Sequence, residues 1–191
     1  MRHKPLFWNI PNSLTLLRIL LIPVLVAVFF SPFEWSRQAA SMIFLVAAIT
    51  DWFDGYLARK LDQLTPFGAF LDPVADKLMV ASALVLLVSS DPQIAVTISA
   101  IIIVGREITI SSLREWMAEL GARATVAVSM LGKLKTVAQM TAITVLLWRD
   151  PIAGLPLYEI GLILLYIAAA MTLWSMIVYL RAAWPILTSR Q

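Results

Sequence analysis

The chain contains no cysteine, which excludes disulfides and thiolate metal sites. A single histidine, His3, stands in a polar amino-terminal stretch, so imidazole catalysis and a structural zinc site are excluded with it. Charge is scarce as well. Only 14% of the 191 residues are Asp, Glu, Lys or Arg, against 60% hydrophobic, and the mean hydropathy is +0.84. That balance excludes a soluble core. The net charge of +3 is explained by cationic residues flanking membrane segments, so nucleic-acid binding is not invoked.

What remains is a set of apolar runs near the roughly 20 residues that a spanning helix needs. Hydropathy predicts six transmembrane helices, over 13–31, 38–58, 73–90, 93–113, 132–149 and 157–180. Proline and small polar residues punctuate the intervals, as in Ser31-Pro32 and Asp91-Pro92. The prediction is one all-α integral membrane domain over residues 1–191. The charged start of the chain superficially looks like a signal peptide, but no small-residue cleavage site follows and the segment is kept. With both termini in the cytoplasm, Arg2, Lys4, Arg59, Lys60, Arg123, Lys133, Lys135, Arg181 and Arg190 lie at the inner face. Mainly Arg37 and Arg149 are left outside, as the positive-inside rule favours. Trp8, Trp35, Trp148 and Trp184, near predicted span ends, read as interfacial anchors.

Against this apolar background, Asp51, Asp54, Asp72 and Asp76 fall within 26 residues. Asp51, Asp54, Gly55 and Ala58 share a helix face by their i, i+3, i+4, i+7 spacing, at the cytoplasmic end of the second span. Asp72 and Asp76 share a face at the start of the third. Carboxylates at a bilayer are costly and are retained for function. Four converging on one groove repel each other unless divalent cations neutralise them, and hard oxygen donors suit Mg²⁺ or Mn²⁺, as a pair of ions. Gly55, Ala58 and Gly68 add no bulk, which serves helix packing or leaves room for a phosphate or sugar. Arg59 offers a donor fork suited to phosphate oxygens.

The arrangement DxxDGxxARx8Gx3Dx3D, met at every fixed position, resembles the signature of the CDP-alcohol phosphotransferases. NIPNSLTLLRI, DPVADKL and GREITISSLREWMAELG resemble members of that family that use glycerol 3-phosphate, and the resemblance runs from Asn9 to about Tyr179. It implies transfer of a phosphatidyl group from CDP-diacylglycerol to sn-glycerol 3-phosphate with release of CMP. It also implies a six-helix fold in the bacterial inner membrane, a homodimer, and an active site facing the cytoplasm. Asp51, Asp54, Asp72 and Asp76 are then metal ligands, with Asp76 also the general base. Asp54, Gly55, Ala58, Arg59 and Gly68 hold the CDP-diacylglycerol, and Asn12, Thr15 and Arg18 on the first span lie near its nucleotide.

The phosphate of the acceptor calls for cations, and Arg106, Arg114, Lys133 and Lys135 are the candidates on the cytoplasmic side. Arg106 also has Glu107 beside it as a salt-bridge partner, and Arg114 has Glu115 and Glu119. Lys77 is expected to project elsewhere as a snorkelling cation or to pair with an acid. Two alternatives keep the same acidic cluster. One is a different acceptor, such as serine, inositol phosphate or phosphatidylglycerol; the other is a cation-coupled transporter.

Overall fold

The computed structural model describes residues 9–60, 65–119 and 130–188. Within them, the side chains of Trp52, residues 54–59, Met130, Leu131, Lys133 and residues 186–188 lie outside the description. Six helices carry nearly all of the described residues: α1 (Ile10–Phe29), α2 (Ser36–Lys60), α3 (Pro66–Ser90), α4 (Ile94–Glu119), α5 (Met130–Trp148) and α6 (Leu157–Thr188). The expectations for His3, Trp8 and Arg123 fall outside the described residues.

The all-helical class is as expected, and the six elements occur in the predicted order. By length and composition, three of them are able to cross a membrane: α1, α4 and Leu157–Pro185 of α6. In α5 the apolar stretch is shorter, Leu134–Trp148. Of the 25-residue helices α2 and α3, α2 is much the less apolar, with Asp51 and Asp54 in its second half. At its start α3 differs from the expected boundary by seven residues, beginning at Pro66 rather than 73. Its cause is local. Thr65 caps the helix by accepting from the Gly68 amide at 2.9 Å, and Pro66 occupies the first helical position. Asp72 and Asp76 therefore lie one to three turns inside α3 instead of at its mouth. Likewise α4 and α6 continue past the point where hydropathy falls, because a helix outlasts its apolar face.

In the packed bundle α1 lies against both α2 and α3, while α5 is seated between α2 and α6, and α6 also packs on α4. Leu25, Phe44, Leu84, Ile103, Ile143, Leu147 and Leu165 are fully buried at its centre. A second cluster, Ile110, Leu113, Met117, Tyr179 and Ala183, joins the far ends of α4 and α6. Leu20, Val85, Ile101, Ile163 and Trp174 point outward, an apolar exterior fitted to lipid.

The end of the bundle where α1 finishes and α2 begins is tied by polar and aromatic contacts. The Tyr158 hydroxyl donates to Asp91, Gln93 donates to Tyr158 at 2.6 Å, and Gln38 donates to Asp150. The Arg149 guanidinium lies 5.3 Å from the centre of the Tyr158 ring. Arg37 is placed over Phe29 at the same end. The turn after α5 holds Arg149, Ala153 and Gly154 at positive φ.

The α5–α6 seam depends on Gly161. A Cβ there would lie 2.7 Å from Leu146 Cγ and 2.8 Å from Cδ2, whereas one at Gly105 would meet nothing within 4 Å. Gly161→Val should therefore destabilise the bundle by about 1–3 kcal/mol and lower its thermal midpoint in detergent, measured by size-exclusion after heating. Gly105→Ala should leave the midpoint unchanged, and an equal response at both positions would mean that this seam is not close-packed.

Candidate active site

One stripe of α1 changes character along its length. Asn12, Thr15 and Arg18 occupy its first half and Leu25 and Phe29 its second, and all five are buried. The polar half meets the aspartate-bearing helices. Arg18 Nη1 donates to Asp51 Oδ1 of α2, and Thr15 Oγ1 donates to Asp72 Oδ1 of α3 at 2.5 Å. Asn12 Nδ2 donates to the hydroxyl of the α3 cap, Thr65, at 3.0 Å. Burial without partners would cost each of these groups more than it gains.

Asn12, Thr15 and Arg18, expected near the nucleotide, hold the acidic helices. Gly68 acts with them: a Cβ there would lie 2.5 Å from Asn12 Oδ1 and 3.2 Å from Thr65 Oγ1. Its small size permits the approach of α1 to α3.

Of the four aspartates, Asp51 and Asp72 thus each spend one oxygen on an α1 donor. Asp76 accepts no hydrogen bond from a described residue, and it lies within electrostatic reach of Asp51, Arg18, Glu107 and Lys135. Asp54, Gly55, Ala58 and Arg59 have backbone in α2, but their side chains lie outside the described residues. Among the described residues no three acids are gathered as a ready metal site.

A pocket of about 190 Å³ opens beside Asp76. Asp76, Lys77 and Val80 of α3 line one wall, Arg106, Glu107 and Arg114 of α4 another, and Gly132, Lys135, Thr136 and Gln139 of α5 a third, with Tyr179 of α6. The sequence-predicted Arg106, Arg114 and Lys135 are therefore brought together with the aspartate cluster, while the side chain of Lys133 lies outside the described residues. Of the two expectations for Lys77, projection elsewhere is not met, and it lies within electrostatic reach of the acid Glu107. One position past Asp76 on a helix, it still lines the same cavity.

Charge is distributed unevenly inside the pocket. Glu107 Oε1 accepts from Lys135 Nζ at 2.6 Å and from Arg106 Nη1 at 3.3 Å. The Arg106 and Arg114 guanidinium carbons lie 5.4 and 5.8 Å from the centre of the Tyr179 ring, both in cation–π range. In their charged forms the lining side chains comprise four cations and two carboxylates, a surplus of two positive charges. A small dianion such as a phosphate monoester fits that surplus. Sequence reading missed Gln139 and Tyr179: a lone amide or aromatic in an apolar helix gives no signal until the fold turns it toward a cavity.

A family model described as CDP-alcohol phosphatidyltransferase matches residues 8–174. Relatives named CDP-diacylglycerol–glycerol-3-phosphate 3-phosphatidyltransferase are similar over nearly the whole chain. The one from Salmonella choleraesuis (strain SC-B67) is 55% identical over 92% of this chain and 95% of its own. One from Shigella flexneri serotype 5b (strain 8401) is 56% identical over the same shares. One from Pseudomonas fluorescens is 56% identical over 93% of this chain and 91% of its own.

The Arg18–Asp51 pair is asymmetric, with side chains 1% and 39% exposed. Removing the carboxylate takes a counter-charge from a buried guanidinium; removing the guanidinium leaves a carboxylate that water reaches. Asp51→Asn should thus lower the thermal midpoint in detergent more than Arg18→Met does, by on the order of 2 kcal/mol. The reverse order would show that Arg18 does not depend on Asp51.

Proposed function

The chain belongs to the CDP-alcohol phosphatidyltransferase family, and from that membership we propose that it transfers the phosphatidyl group of CDP-diacylglycerol to sn-glycerol 3-phosphate. The products are phosphatidylglycerophosphate and CMP. The observation that carries the reading is a single pocket in which a carboxylate without a described donor, Asp76, shares walls with Arg106, Arg114 and Lys135.

The reaction forms a bond from the acceptor's primary hydroxyl oxygen to the phosphatidyl phosphorus and breaks the bond from that phosphorus to CMP. Asp76 takes the hydroxyl proton, since it is the pocket carboxylate that Lys135 and Arg106 do not engage. Arg106 and Lys135 hold the acceptor's phosphate, with Arg114, and with Lys133 as the expected fourth cation. Glu107 fixes the direction of both bound cations and tempers their charge, so that the product phosphate is released. Along α2, Asp54, Gly55, Ala58 and Arg59 are assigned to the CDP moiety, and Gly68 borders it from α3.

Divalent ions fit the acidic residues. Asp51 and Asp72 each retain an oxygen beyond the one bonded to α1, and Asp76 retains both among the described residues. We assign two Mg²⁺ or Mn²⁺ ions to Asp51, Asp54, Asp72 and Asp76. When bound, they supply charge neutralisation at the pyrophosphate. Placement in the bacterial inner membrane with six spans, a cytoplasmic site and a homodimer belongs to the same reading. The distribution of Lys and Arg toward the α2–α3 and α4–α5 ends supports that orientation.

Detergent-purified protein given CDP-diacylglycerol and Mg²⁺ should release CMP with glycerol 3-phosphate and not with serine, inositol or inositol phosphate. Excess EDTA should stop release, and added Mg²⁺ or Mn²⁺ should restore it. Release that depends on another acceptor would overturn the substrate, and release indifferent to EDTA would overturn the metal assignment. Arg106→Ala should raise the KM for glycerol 3-phosphate roughly 10-fold or more, with a much smaller change for CDP-diacylglycerol. Equal changes for both substrates would remove Arg106 from the acceptor's phosphate.

A further inference from the structure

Gln139 lies on α5 one helical turn beyond Lys135, on the same face, and lines the same pocket. Its side chain is 3% exposed, and its Oε1 accepts no hydrogen bond from a described residue. A buried amide oxygen left without a donor is costly, and native interiors satisfy nearly all of them. A donor from outside the protein resolves this.

The neighbouring groups narrow what that donor is. Asp76 is assigned to the reacting hydroxyl, and Glu107 is occupied by Lys135 and Arg106. Thr136 donates its hydroxyl proton to the Gly132 carbonyl at 3.0 Å. The four cations of the pocket offer donors only. Gln139 therefore supplies a neutral acceptor in a cavity of about 190 Å³ whose charged groups already serve the two ends of the substrate. Glycerol 3-phosphate carries, between its phosphate and its reacting hydroxyl, a secondary hydroxyl that takes no part in the transfer.

We propose that Gln139 is a specificity-determining residue whose amide oxygen accepts a hydrogen bond from that secondary hydroxyl, selecting phosphorylated vicinal diols over acceptors without it. The proposal rests on the glycerol 3-phosphate reading above and adds the part of the acceptor that the cations do not read. A site built to bond a hydroxyl discriminates against the analogue lacking it, because the site's own polar group is then left unpaired.

The test pairs two acceptors with three forms of the full-length protein in detergent. Glycerol 3-phosphate and 3-hydroxypropyl phosphate share the phosphate and the primary hydroxyl, and differ at the secondary one. CMP release at saturating CDP-diacylglycerol and Mg²⁺ gives kcat/KM for each acceptor with the wild type, Gln139→Met and Gln139→Glu. The wild type should prefer glycerol 3-phosphate roughly tenfold. Gln139→Met, similar in volume but without an accepting oxygen, should bring the two acceptors near parity, chiefly by raising the KM for glycerol 3-phosphate. Its KM for CDP-diacylglycerol should stay unchanged. Gln139→Glu keeps an accepting oxygen and should keep the preference, even as its added negative charge weakens both phosphates alike. An undiminished preference in Gln139→Met, or an equal loss for both acceptors, would overturn the proposal and leave Gln139 a packing residue. Should Gln139→Met not fold, loss of the preference in Gln139→Glu would overturn it in the same way. A wild type that releases CMP with neither phosphate but does so with serine would instead overturn the acceptor reading itself.

Discussion

The buried polar stripe of α1 is the contact on which the site depends. Arg18, Thr15 and Asn12 reach respectively to Asp51 of α2, Asp72 of α3 and the cap of α3. Two acidic helices brought together in an apolar setting repel, and the repulsion is greatest where water is least available. Arg18 and Thr15, each bonded to an aspartate, counter that tendency, and Asn12 adds a bond to the cap of α3. Because the contacts to Asp51 and Asp72 each use one carboxylate oxygen, the clamp holds both aspartates and leaves each a second oxygen.

The pocket poses the opposite problem. Several cations are held close together there without being fully neutralised. Glu107 engages Lys135 and Arg106 through one oxygen, so a single negative charge orients two positive ones. Tyr179 does the rest by presenting its ring to both Arg106 and Arg114. The aromatic face attracts a guanidinium without cancelling its charge. Ile110, Leu113 and Met117 pack around Tyr179, which gives the extension of α4 and α6 past the central core a purpose that hydropathy does not reveal.

Much of this was legible in the sequence. The six helices and the grouping of Arg106, Arg114 and Lys135 with Asp76 follow from periodicity, composition and resemblance. The start of α3 was not, because a hydropathy window averages over the Thr65-Pro66 cap that sets it. Asn12, Thr15 and Arg18 were visible as polar residues opening an apolar helix, yet their partners lie 33 to 57 positions away, and helical spacing carries no information at that range. The place of Lys77 was not legible either, because a pocket lined from four helices is wide enough to receive two successive side chains of α3.

Both ends of the bundle are tied by polar contacts. At the end where α2 begins, Tyr158 accepts from Gln93 and donates to Asp91 while its ring receives Arg149, so one side chain there joins three others. At the pocket end, Asp76 and the Gln139 amide oxygen face no described donor. A membrane helix bundle gains little from hydrophobic attraction between its own helices, since lipid is as apolar as they are. Polar contacts therefore supply cohesion at both ends, through the Tyr158 cluster at one and through the α1 clamp and the Glu107–Lys135 pair at the other, where Asp76 and several cations still face a cavity.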